Sequence, residues 1–523
     1  MLLVTVFVYS GTLHSPFLFD DYHSVLFNPN IKELGNIPHF FASATATSGK
    51  VQNTGGYRPI TMATLAIDYA LSGLDPYSYH ITNIILHLCT IVAVFFLALF
   101  FAEKYGRPPG AALIAAGLFA LHPVHTNAVT YIIARTGILS TLFYLLSFYL
   151  YVKYRDTGRQ WKLAASLFLF ICGLLSKEIA VTLPITLFLY DYLLEKKRKP
   201  RDYAGVAVFF LVGLAYVILR QAIMGSLGRQ SIYSSAPGHF LAQPWAFFNY
   251  IRLLLFPINL NFYPYIKPPD SFFRARVMLS AAAVLGIFLV TIKFTKEKAL
   301  SGFLAGWFLV ALLPEAVANV RDLFIEYRLY LASVGPIILI SLFATDGKGM
   351  LWKKAGVWTA VTVIIIFSVL AAKRNAVYGD AISLWEDCVM KSPDSALAHA
   401  DLGGVYLYAN RNAEAAEQLT LAFQLDPALP GQGDNLSNLG LALDLSGQYD
   451  KARAVYEEAL RRFPTDTKLL INMGYLCLKT GDPDGAYYYT SAALATDPGN
   501  ISLGVLVEQM KAAAEAKRGA SGR

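Results

Sequence analysis

Residues 83–102 read NIILHLCTIVAVFFLALFFA, a stretch without a single Asp, Glu, Lys or Arg. A bilayer core needs roughly 20 apolar residues to be crossed as a helix, and this run has that length. Runs of the same kind recur from Asn83 to about Ala372, near 83–102, 111–121, 138–154, 161–175, 179–194, 203–222, 276–293, 299–316, 329–345 and 354–372. A shorter apolar start, Met1 to Tyr9, brings the expected number of spans to about eleven. It lacks the basic n-region and small-residue cleavage site of a removable signal. The whole chain is 55% hydrophobic and only 15% charged, against about 25% charged in soluble domains. After Lys373 the composition becomes that of a soluble domain. The fold class expected is therefore all-α: a polytopic membrane domain over 1–372, then a soluble domain.

The net charge of +8 does not point to nucleic acid, because the basic residues gather at the ends of spans. The densest group is Lys196, Lys197, Arg198, Lys199 and Arg201. Lys104 with Arg107, Lys153 to Lys162, Lys293 to Lys298 and Lys348 to Lys354 repeat the pattern. By the positive-inside rule these loops face the cytosol. Asp20-Asp21, the loop after Leu121, Lys177-Glu178, residues 223–275 and Asn319 to Arg328 then share the extracytoplasmic side, together with the C-terminal domain. Within 223–275, Pro244 to Pro257 reads as an amphipathic helix on the outer leaflet, and Tyr263-Pro264-Tyr265 as an interfacial anchor. The four cysteines supply no disulfide framework. Cys89 and Cys172 lie within spans, and Cys388 and Cys477 at helical core positions.

The C-terminal part repeats with a period of 34. Leu402, Gly403, Tyr406, Ala415, Leu419, Ala422 and Pro427 recur as Leu439, Gly440, Leu443, Ala452, Tyr456, Ala459 and Pro464, then as Met473, Gly474, Cys477, Ala486, Thr490, Ala493 and Pro498. This is the tetratricopeptide (TPR) pattern of paired antiparallel helices, in which small residues allow close approach and proline ends the second helix. The first two copies are 37 residues apart, because Leu429 to Asn435 lengthens the turn. Ala381, Trp385, Cys388 and Pro393 form a further half-repeat. The repeat domain is expected over 373–515, closing with a helix from Leu503 to Glu515, and a disordered tail over 516–523.

Two adjacent carboxylates, Asp20 and Asp21, follow the first apolar stretch. Acids at a membrane surface are costly to desolvate and tend to be functional; the plain structural role is a helix cap. Further polar clusters mark span ends: Tyr57-Arg58-Pro59, His122-Pro123-Val124-His125, Arg135, Ser176-Lys177-Glu178 and Glu326-Tyr327-Arg328-Leu329-Tyr330. His122 and His125 stand three apart, but the intervening proline disrupts a helix that would align them, so hydrogen bonding is favoured over metal ligation.

In this order, the motifs resemble the transmembrane and TPR-containing (TMTC) O-mannosyltransferases and their prokaryotic homologues, of the GT-C class of polyprenyl-phosphate-sugar glycosyltransferases. The resemblance covers nearly the whole chain; the departures are the short first span and the small number of repeats. It implies an inverting transfer of a hexose, mannose foremost, from a polyprenyl phosphate to a Ser/Thr hydroxyl of an acceptor protein held by the repeats. Phosphate is a good leaving group, so one carboxylate suffices as base. By the resemblance that base is Asp20, with Asp21 the second candidate, which otherwise orients the acceptor or caps the next helix. Arg328, Arg58, Lys177, Arg135 and Arg321 are the candidate partners of the donor phosphate. Glu326, Glu178, His122 and His125 are supporting residues, with Glu178 and Glu326 fixing Lys177 and Arg328.

No metal cofactor is expected to be required; the lipid-linked sugar is the substrate. The expected partners are that lipid, the acceptor protein and membrane lipids, not nucleic acid. The expected location is a prokaryotic inner membrane, or the endoplasmic reticulum membrane with luminal repeats. Four other readings stand beside this one: a transferase acting on a glycolipid or envelope glycan, an envelope ligase or polymerase, a non-catalytic membrane-anchored TPR scaffold, and a transporter. The early position of the acids disfavours the ligase, which relies on a large late periplasmic loop. The sequence carries no sign of the paired broken spans of a transporter.

Overall fold

The computed structural model describes the chain except residues 44–55, 196–202, 225–235, 268, 270, 298, 318–322, 347–349, 430 and 522–523. The basic group Lys196 to Arg201, together with Arg321, Lys348 and the last two residues of the tail, lies outside the described residues. All regular structure among the described residues is helical. The chain divides into two compact units, Met1–Asp380 and Ala381–Arg523.

Among the described residues of the first unit six helices are long and apolar enough to cross a membrane, and eight if two bent pairs each count as one span. The expectation of about eleven is corrected by length. The runs at the N-terminus, at 161–175 and at 179–194 do form helices, Leu2–Ser10, Gln160–Leu174 and Leu183–Leu194, but these have 9, 15 and 12 residues. At 1.5 Å per residue the longest spans about 22 Å, short of a core about 30 Å thick.

Both bends have a local cause. Gly110–Leu121 and Pro123–Thr130 meet at 49°, where Pro123 cannot continue the backbone ladder and His122 caps the new turn by accepting the Val124 N–H. Glu326–Ala332 and Val334–Ala344 meet at 58°, where Pro336 has no N–H for the Ala332 carbonyl. The two breaks face each other, His125 Nε2 lying 3.0 Å from Ser333 Oγ. These paired broken spans were not legible in the sequence.

Rings fill the bundle interior. Trp307 packs edge-on to Tyr144 and Phe148, and its indole N–H donates to the Leu331 carbonyl at 3.0 Å. Gly335 faces the same indole, and a Cβ there would overlap the Leu304 carbonyl, so Val334–Ala344 comes close to Ala299–Val317 only because that position lacks a side chain. The stretch expected to be amphipathic, Pro244 to Pro257, is helical as far as Leu255, as the second part of Ala236–Leu255, where Ala246, Tyr250 and Leu253 are buried while Phe240, Phe248 and Leu255 are exposed.

The second unit is an α-solenoid. Its pairs are Ala396–Tyr408 with Asn412–Leu425, Gln432–Leu445 with Tyr449–Arg462, and Thr467–Lys479 with Pro483–Thr496. Asp466 caps one of these helices by accepting the Lys468 and Leu469 N–H groups. The repeat glycines explain themselves: a Cβ on Gly403 would lie 2.6 Å from Leu419 Cγ, one on Gly474 2.7 Å from Thr490 Cγ2, and one on Gly440 inside the Tyr456 ring. Gly440→Leu is expected to destabilise the repeats by about 3 kcal/mol through overpacking. Limited proteolysis of the full chain should then cleave within 432–462, and an unchanged pattern would refute the close-approach argument. Upstream, Met350–Val377 runs through Lys373 as one helix, and Ala381–Lys391 is the half-repeat. The terminal helix, Ile501–Ser521, continues past Glu515. Residues 516–521 are therefore helical rather than disordered, with Arg518 Nε on Asp484 Oδ1 at 2.9 Å and Lys517 Nζ on the Gly481 carbonyl at 2.6 Å.

Candidate active site

Five segments expected on one side meet at one end of the bundle: the turn at 17–21, the loop 129–135, 176–178, 260–263 and 326–328. The structure splits the acidic pair. Asp20 is exposed, whereas Asp21 is 1% exposed. Asp21 Oδ2 accepts the Leu18 N–H and Oδ1 the Ile133 N–H, both at 2.9 Å. Burial raises its carboxyl to about 8, a shift that these two amides oppose and the neighbouring Asp20 reinforces. Asp21 thus ties its own turn to the 131–133 loop, and Asp20 is the acid presented at the surface. Phe19, immediately before it, has φ 46°, a left-handed backbone that is strained for a phenylalanine. Its ring packs on Phe262 and Tyr263, which places the tyrosine loop beside the acids.

The loop beneath Asp20 is held from inside. The Asn83 side-chain amide lies 3.0 Å from the Val129 carbonyl and 3.3 Å from that of Ile132, while its oxygen accepts Arg135 Nε at 2.6 Å. Arg135, expected among the phosphate partners, is instead 0% exposed. It pairs with buried Asp68 at 2.5 Å and donates to the Tyr79 carbonyl at 2.8 Å. Arg135→Met is expected to cost about 3–5 kcal/mol, because Asp68 would be left buried without its countercharge. A chain melting like wild type in detergent would show that the pair is not holding this loop.

The cations gather around Lys177. Arg58 pairs with Glu178 at 3.2 Å, Arg220 reaches the other Glu178 oxygen at 3.4 Å, and Arg328 pairs with Glu315 at 3.0 Å. Glu178 thus forms its ion pairs with Arg58 and Arg220 rather than with its chain neighbour Lys177. Glu326 is buried and accepts the Asn261 N–H at 2.7 Å, which shapes the 261–263 loop. Burial alone would raise the Glu178 carboxyl, but Arg58 and Arg220 outweigh it and hold it at about 2. Lys177 is 8% exposed, and among the described residues its ammonium makes no ion pair; it rests 4.4 Å above the Tyr327 ring. Burial, then the like charge of Arg58, lowers it to about 8. Glu315 and Glu178 act on it in the opposite sense without reaching ion-pair contact, and a buried ammonium so placed can take an anion.

Both histidines of the His-Pro-Val-His motif are buried, with all their ring nitrogens occupied. His122 Nδ1 accepts the Val124 N–H, so Nε2 carries the proton and donates to the Leu254 carbonyl at 3.0 Å. His125 Nδ1 donates to the Phe119 carbonyl at 2.8 Å, leaving Nε2 to Ser333. Among the described residues no group of three His, Cys, Asp or Glu is placed to hold a metal ion. Sequence reasoning missed Tyr131, Arg220 and Glu315 as parts of this end, and gave Asn83 no role. Asn83 had a signal, being a strong hydrogen-bonding side chain in an otherwise apolar span; Arg220 and Glu315 had only their isolation in apolar runs.

A tetratricopeptide-repeat family model matches residues 445–506. The chain is 26% identical over 451 residues to protein O-mannosyl-transferase F38B6.6 of Caenorhabditis elegans, covering 82% of this chain and 62% of that protein. It is 26% identical over 603 residues to protein O-mannosyl-transferase TMTC3 of Mus musculus, covering 95% and 63%. With human TMTC4 it shares 32% identity over 200 residues, which is 34% of this chain and 27% of that protein. It spans less than two thirds of the length of these relatives. The chain is related to the TMTC O-mannosyltransferases.

Proposed function

We propose that this relative of the TMTC proteins is itself a protein O-mannosyltransferase that takes mannose from a polyprenyl phosphate on the extracytoplasmic side of its membrane. The observation that carries the reading is the presence at one end of the bundle of a surface carboxylate, Asp20, and a buried ammonium, Lys177, that makes no ion pair among the described residues. The acceptor hydroxyl oxygen attacks the anomeric carbon while the bond from that carbon to the phosphate oxygen breaks. The hydroxyl proton passes to Asp20, and the pair of electrons leaves on the polyprenyl phosphate. One displacement inverts the anomeric centre. Lys177 meets the phosphate charge, flanked by Arg58 and Arg328, whose carboxylate partners hold them in place. Arg135 acts as a strut below the loop. The reaction asks for no resident metal, so transfer is expected to persist in EDTA. The repeats hold the acceptor protein.

The test is transfer of radiolabel from polyprenyl-phosphate mannose in membranes carrying the full chain, with protein and lipid fractions followed separately. Label in protein is the expected result. Label in lipid alone would replace the acceptor by a glycolipid, and no label in either fraction would refute the donor.

A further inference from the structure

We infer that Tyr131 is a positioning residue for Asp20: its hydroxyl, held on an internally anchored loop, fixes the backbone from which the base projects. The inference rests on the reading of Asp20 as base, and it concerns a residue that none of the motifs contains.

Three observations converge on Tyr131. Its hydroxyl oxygen accepts the Asp20 N–H at 3.0 Å, a contact across 111 residues of chain. Its ring is buried edge-on to Phe262 with centroids 5.0 Å apart, and Phe262 also packs on Phe19. Its backbone belongs to the loop whose carbonyls converge on the Asn83 amide, and Thr130, next in the chain, donates to Asn375 Oδ1 at 2.9 Å while Asn375 donates to the Val8 carbonyl at 3.0 Å. Tyr131 is therefore set by elements far apart in sequence, as a gauge against which Asp20 is registered.

The turn needs such a gauge. Phe19 is held at φ 46°, and the chain would relax toward negative φ if the contacts after it were removed. Asp21 supplies one tie, to the Ile133 N–H. Within the turn, the Phe19 carbonyl accepts the Tyr22 N–H at 3.2 Å and the Asp20 carbonyl accepts the Ser24 N–H at 3.0 Å. The Tyr131 hydrogen bond adds a tie from outside the turn at the Asp20 N–H itself, and so registers the carboxylate against the 129–135 loop. Misplacing a reacting group by about 1 Å can cost 100-fold in rate, which is the size of effect such a bond controls.

Tyr131→Phe is the decisive variant, because it keeps the ring on Phe262 and deletes only the acceptor. In the full-length protein in detergent, amide exchange of the peptide containing residues 18–22 is expected to quicken while exchange of the spans stays as in wild type. Unchanged exchange there would overturn the inference whatever the activity. In the mannose-transfer assay, kcat is expected to fall about tenfold to a hundredfold with the donor KM unchanged. A wild-type kcat with faster exchange would also overturn it, since the bond would then order the turn without serving the reaction. Asp20→Asn with Tyr131→Phe should be no slower than Asp20→Asn alone; additive losses would mean that Tyr131 acts independently of Asp20. Should Asp20→Asn keep full activity, the base assignment falls, the kinetic role of Tyr131 falls with it, and the exchange experiment still decides the clamp separately.

Discussion

Asp20→Asn is expected to lower kcat for mannose transfer by about 10²–10⁴ while leaving the melting temperature of the protein unchanged. The carboxylate is exposed, so the isosteric amide replaces a proton acceptor without disturbing packing. Asp21→Asn should do the reverse. Both Asp21 oxygens accept backbone N–H groups at 2.9 Å. An amide would turn an NH2 toward one of these donors, costing about 1–3 kcal/mol for the unmade bond. The pH dependence separates the two acids further. Burial raises the Asp21 carboxyl to about 8, so the folded chain holds this proton more tightly than the unfolded one. The stability it contributes is fully present below its unfolded value, near pH 4, and is lost as pH rises through about 8. The melting temperature of Asp21→Asn should therefore depend less on pH across that window than that of wild type or Asp20→Asn. Activity surviving in Asp20→Asn would sink the base assignment, and a stable Asp21→Asn with unaltered pH dependence would sink the structural one.

Lys177→Met is expected to raise the donor KM by about 10- to 100-fold, from the loss of one charged hydrogen bond to phosphate worth about 1.5–3 kcal/mol. Because burial and the neighbouring Arg58 lower the Lys177 ammonium to about 8, wild type should lose donor affinity as pH passes that value. Lys177→Arg, which stays charged, should move the loss to higher pH. Unfolding does not imitate this signature. A lysine whose value is depressed by folding binds its proton more tightly in the unfolded chain. Its effect on stability is therefore fully favourable only above its unfolded value, near 10.5, and is lost as pH falls to about 8. A donor KM that is flat through pH 8, or a Lys177→Met variant with wild-type KM, would remove Lys177 from the phosphate site.

Much of the architecture was legible because it is written locally. The apolar runs appear as helices close to their expected positions, and Gly403, Gly440 and Gly474 stand where repeat helices touch. The number of spans was not legible. Apolarity marks what can be buried, but whether a run crosses alone depends on its length after turns are taken out, as at Gln160–Leu174 and Leu183–Leu194. The proline breaks before Val124 and after Ser333 likewise have local causes, yet the hydrogen bond joining them, from His125 to Ser333, spans 208 residues.

For the site, the sequence by itself determined which residue types collect at span ends: an acidic pair, several cations and their carboxylates. It also determined the solenoid, because a 34-residue period forces the same helix pair to recur. Only the tertiary structure decided the assignments among like residues. Asp20 and Asp21 are chemically identical neighbours until Leu18 and Ile133 claim the oxygens of one of them. Arg135 and Lys177 are both cations in polar clusters until Asp68 takes the first, while the second makes no ion pair among the described residues and rests on the Tyr327 ring. Glu178 is adjacent to Lys177 in the chain but pairs with Arg58, 120 residues away. The physical reason is that charge and hydrogen-bonding capacity belong to a residue type, whereas desolvation and partnership belong to a place in three dimensions, and it is these that separate a strut from a reactive group.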